Sequence, residues 1–81
     1  MQSEKNIRRL SEEAILDFLH KSGKPESPKY MIESIKENPI LKERIIREVI
    51  WLLIGRAEIN FTADRKLEIK STSLNNGLMY V

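Results

Sequence analysis

Cysteine is absent from the 81 residues, so neither a disulfide nor a thiolate metal site can reinforce the fold. That absence fits a reducing compartment without requiring one. Glycine occurs three times, never in a spacing that would cradle phosphate. The single histidine, His20, offers no cluster from which to build a metal site. No Ser-His-Asp or Cys-His set and no carboxylate pair with a pocket is legible. Catalysis is therefore the least favoured class, and no metal or cofactor is expected. The longest apolar run, Val49 to Ile54, has six residues, whereas a membrane-spanning helix needs about 20. Met1 to Asn6 hold no apolar h-region, so no secretory signal is expected and cytoplasm is the expected compartment. No charge of one sign prevails either: 14 bases stand against 12 acids, for a net charge of +2. A strongly basic chain would point to nucleic acid on charge alone; this one does not.

What is present is enough for one domain. Hydrophobic residues make up 41% of the chain, sufficient for a single core in a length that holds no second domain. A domain of this size buries only about 60–65% of its unfolded surface. Its stability must come from packing, and a dimer interface would extend that packing.

Ile7, Leu10, Ala14, Ile15, Phe18 and Leu19 recur at three- and four-residue steps, which predicts an amphipathic first helix. Ser3 and Ser11 are both suitable N-caps, so the helix starts near Glu4 or near Ser11. It ends at Ser22, before Gly23 and Pro25. Residues 24–28 read as a loop. Ser27 then caps a second helix that opens on Pro28, carries Met31, Ile32 and Ile35 on one face, and ends by Asn38 because Pro39 follows. A third helix from Leu41 to about Arg56 has a wide apolar stripe of Ile45, Ile46, Val49, Ile50 and Leu53. At 100° per residue its other side carries Arg44, Arg47, Glu48 and Trp51. The period then changes to two. Ala57, Ile59 and Phe61 alternate with polar residues, as do Leu67 and Ile69, predicting two strands with one buried face. Thr62 to Lys66 supply the hairpin loop. The last ten residues hold a turn dipeptide, Asn76-Gly77, followed by Leu78, Met79, Tyr80 and Val81.

The passage from Ile45 through Gly55 to Phe61 resembles the third helix and first wing strand of winged helix-turn-helix domains. At the level of element order the resemblance covers about residues 10–71. It implies an α+β fold: a three-helix winged-helix domain with a C-terminal β-hairpin wing. The whole of residues 1–81 forms one such domain, with 72–81 either a short strand or a flexible tail. The resemblance also implies binding of double-stranded DNA, the third helix entering the major groove and the wing touching the backbone. Carried onto this chain, the DNA-binding positions are Lys42, Arg44 and Arg47 on the helix and Arg65 and Lys66 on the wing, with Arg56 beside it. The protein would act as a small transcription regulator or nucleoid-type factor, and a homodimer is expected.

Two features depart from the winged-helix pattern. Asn38-Pro39 stands where a small or glycine-containing turn is usual. The docking face also mixes signs, with four bases and two acids from Lys36 to Arg47 and four bases and three acids from Arg56 to Lys70. Every acid facing phosphate is a repulsive term. Glu43 and Arg47 sit i,i+4 apart, the spacing of an ordinary exposed ion pair. A second reading is therefore a winged-helix module for protein association that does not bind nucleic acid. Its contact residues would be Trp51, a large aromatic on a polar face, and the apolar cluster Leu78, Met79 and Tyr80, suited to strand addition.

Overall fold

The computed structural model describes residues 3–70 of the chain. The first helix, α1 (Glu4–Ser22), starts where the Ser3 hydroxyl accepts the Asn6 N–H at 3.2 Å. Ser11, the other candidate cap, lies inside the helix. It is fully buried, and its hydroxyl donates to the Ile7 carbonyl at 2.8 Å. The N-terminal cap satisfies a free helical amide, whereas Ser11 meets its own need within the preceding turn. Gly23 ends α1 at φ 69°, its N–H donating to the Leu19 carbonyl at 3.1 Å. A side chain is disfavoured in that left-handed conformation.

Ser27 accepts the Tyr30 N–H at 3.3 Å and Pro28 opens α2 (Pro28–Ile35), as the residue order predicts. α3 (Glu43–Gly55) begins two residues later than expected from Leu41, because Lys42 is extended at φ −91°, ψ 140°. Leu41 is buried nonetheless. All five stripe residues of α3 are buried, and they meet Ile15 and Leu19 of α1 and Met31, Ile32 and Ile35 of α2 in one core. Each fully buried Leu or Ile of this kind stabilises the fold by about 1.5–3 kcal/mol.

Beyond α3 the chain turns at Ala57, which adopts φ 63° and is thus a turn residue rather than the start of an alternating strand. β1 (Ile59–Phe61) and β2 (Leu67–Ile69) pair antiparallel, with Ile59 opposite Ile69, Asn60 opposite Glu68 and Phe61 opposite Leu67. The Thr62 N–H donates to the Lys66 carbonyl at 2.7 Å to close the loop. Ile59 and Leu67 are fully buried and tie the hairpin to the core. The fold is α+β: among the described residues, three helices are followed by a two-stranded hairpin in the place of a wing.

Two further findings differ from the sequence reading. The loop between α1 and α2 joins the sheet: the Glu26 N–H donates to the Leu67 carbonyl at 2.9 Å, and the Leu67 N–H to the Glu26 carbonyl at 2.7 Å. β2 therefore has a neighbour on each side, while β1 has only β2 among the described residues. Phe61, expected on the buried face, is 39% exposed although Leu67 opposite it is fully buried, because β1 is the outer strand while β2 lies between β1 and the Glu26 segment.

Candidate interaction surface

The surface at issue is the solvent side of α3 together with the hairpin. Alternating rows of α3 bring Glu43, Arg47 and Trp51 into one line and Arg44, Glu48 and Leu52 into the next, because residues four apart stack on a helix. Arg47 binds Glu43 through Nε at 2.9 Å and Nη2 at 2.7 Å, and Lys36 reaches the other Glu43 oxygen at 3.2 Å. The Arg47 hydrogen bonds foremost, then the Lys36 hydrogen bond and charge, hold the Glu43 carboxyl below its ordinary value. Arg44 binds Glu48 at 3.2 Å and lies 3.8 Å from Glu4, while Arg8 of α1 binds the second Glu48 oxygen. These four residues form a net-neutral network that ties the start of α1 to α3.

Arg56 is turned away from the α3 face, toward α1. It binds Glu58 and the two oxygens of Glu12, the latter at 3.2 Å, and those carboxylates raise its pKa, Glu58 foremost. Lys66 lies 3.8 Å from Asp64 at the hairpin tip. The Asp64 carboxyl is lowered, chiefly by the hydrogen bond it accepts from Thr62. Of the six bases singled out from the sequence, only Lys42 and Arg65 have no ion pair among the described residues. Lys42 occupies the α3 N-cap position, and Arg65 sits in the hairpin loop at φ 66°. Arg47 and Arg65 line one cleft, with Lys29, Ile32 and Phe61. The six bases are thus scattered around the fold, and four are matched by acids.

Apolar residues gather where the charges cancel. Trp51 is 64% exposed and Leu52 42%. The Trp51 and Phe61 rings meet at a centroid distance of 5.8 Å, tilted by 59°, within the range of favourable aromatic geometry. Trp51 therefore rests on the hairpin by one side and stays open on the other. Periodicity located Trp51; it missed Phe61, since strand alternation assigns a face without telling which strand lies at the edge of the sheet. Leu52 was missed too, although its place one residue before the buried Leu53 is the signal that would have found it.

Leu78, Met79 and Tyr80 lie outside the described residues. No group of three or more His, Cys, Asp or Glu side chains among the described residues has the arrangement of a metal site. No described helix is long and apolar enough to cross a membrane. No family model matches the chain, and neither a curated protein nor a solved structure matches it.

Proposed function

We propose that this chain is a non-catalytic protein-association module of winged-helix type, docking through Trp51, Leu52 and Phe61. The observation that carries the reading is the exposed Trp51–Phe61 pair on a face whose charges are already matched. Tryptophan is enriched among the residues that dominate protein interfaces, and paired charges around an apolar centre suit the rim of such a contact. The element order and the Glu26–Leu67 bridge, which adds a third segment to the sheet, support the winged-helix assignment.

A second reading, binding of duplex DNA by α3 and the hairpin, is favoured by Lys42 and Arg65, which lack ion pairs among the described residues, and by the cleft that Arg65 shares with Arg47 and Lys29. Against it, phosphate would have to compete with Glu43, Glu48 and Asp64 for the same bases.

A photo-reactive residue replacing Leu52 separates the two in living cells. The association reading expects covalent adducts that protease destroys and nuclease spares, and expects Phe61→Ser to abolish them. Nuclease-sensitive adducts that disappear in Arg47→Ala would overturn it in favour of DNA.

A further inference from the structure

The open edge of β1 is the least explained part of the sheet. Thr62 and Lys66 form one hydrogen-bonded pair and Glu58 and Lys70 another, the Lys70 N–H donating to the Glu58 carbonyl at 3.0 Å. Bonded pairs alternate along an antiparallel ladder, so Asn60 and Glu68 form the pair between them. The N–H and C=O groups of Ile59 and Phe61 consequently point away from β2. On that side the Asn60 Nδ2 donates to the Phe61 carbonyl at 3.1 Å, and no strand among the described residues pairs with β1 there. Edge strands are commonly guarded by lysine, proline or an inward charge. Ile59, Asn60 and Phe61 include none of these, in a chain that is 32% charged.

We propose that β1 pairs antiparallel with β1 of a second copy of this chain, across a two-fold axis at Asn60. The proposal rests on the protein-association reading and names its partner. A two-fold contact must be self-complementary, and this register is. Ile59 of each copy faces Phe61 of the other as a bonded pair, so the outward groups of both strands satisfy one another with four hydrogen bonds. Asn60 meets its own copy as a non-bonded pair, where side chains approach closest, and it is uncharged. Phe61 and Ile59 lie on the α3 side of the sheet, so the two Trp51–Phe61 pairs come together beneath the joined strands and are removed from water. The charges agree as well. The hairpin tip of one copy, with Arg65 lacking an ion pair among the described residues, meets the end of the other copy's β1, where Arg56 binds both Glu58 and Glu12 and leaves that cluster with one acid in excess. A duplex bound across the same hairpin would exclude this dimer.

The test is sedimentation equilibrium of the full chain, alone and as Asn60→Lys and Asn60→Asp. The wild type is expected at twice the 9.5 kDa chain mass at high concentration. Each variant places like charges across the axis and raises the dissociation constant about fivefold, and an equimolar mixture of the two restores the wild-type value. Circular dichroism checks that all three variants fold, and Phe61→Ala, which removes a partly exposed ring packed on Trp51, gives an independent loss of dimer. A wild type that remains monomeric at millimolar concentration overturns the proposal. So does a dimer that Trp51→Ala weakens but the Asn60 variants leave unchanged; in that case association through the Trp51 face still stands. A monomer that binds duplex DNA removes both readings.

Discussion

At the scale of single residues, exposure separates neighbours that composition treats alike. Leu52 and Leu53 are adjacent on α3, one 42% exposed and the other fully buried. Leu53 is fully buried in the core, so truncating it leaves a cavity, and Leu53→Ala is expected to cost about 2–5 kcal/mol in chemical denaturation. Leu52→Ala should stay within about 0.5 kcal/mol of the wild type yet weaken association. Glu43 illustrates the electrostatic side. Its folded pKa is depressed by Arg47 and then Lys36, so the ionised form favours the folded state. That contribution is present in full above the ordinary glutamate pKa and disappears as pH falls below it, through the lowered folded value. Thermal melts of the wild type and Glu43→Gln should therefore converge in acid and differ slightly at neutral pH, since an exposed pair contributes little. A difference that grows as pH falls would contradict the assignment.

Among elements, what the sequence made legible follows the strength of its periodic signal. The α3 stripe, the Gly23 stop and the Ser27-Pro28 start all appear where spacing and capping chemistry place them. Each is a local property of a few consecutive residues. The differences arise where a distant segment decides. Glu26 becomes a strand partner because Leu67, forty-one residues away, presents its outward backbone groups to it. Phe61 is left open because it lies on the outer strand, and its ring finds Trp51 rather than the interior. The α3 bases read as a docking face through the winged-helix resemblance, with helical angle placing Arg44 and Arg47 on the solvent side. Angle does not reveal that Glu4, Arg8 and Glu12 of α1 come within reach of Arg44, Glu48 and Arg56. Ser27 provides a check at this scale. Ser27→Ala is expected to lower stability by about 0.5–2 kcal/mol through loss of the Tyr30 N–H partner, visible as a lower denaturation midpoint with unchanged slope.

For the molecule as a whole, a balanced charge and the exposed Trp51–Phe61 pair set the kind of partner that suits it. From Lys42 to Lys70 the chain has seven bases and five acids, and Glu4, Arg8 and Glu12 of α1 add their charges to the same region. Long-range attraction toward a polyanion is correspondingly small, while burial of Trp51 and Phe61 remains available to a protein partner. Because Trp51 is the only tryptophan, its emission reports on this face alone. The most direct measurement is therefore Trp51 fluorescence with iodide quenching, followed while the chain is concentrated and, separately, while duplex DNA is added to the dilute chain at low salt. The account predicts a blue shift and protection from iodide on concentration, both lost in Phe61→Ala, and no response to the duplex. Emission indifferent to chain concentration but shifted by duplex DNA in a salt-sensitive manner would contradict it.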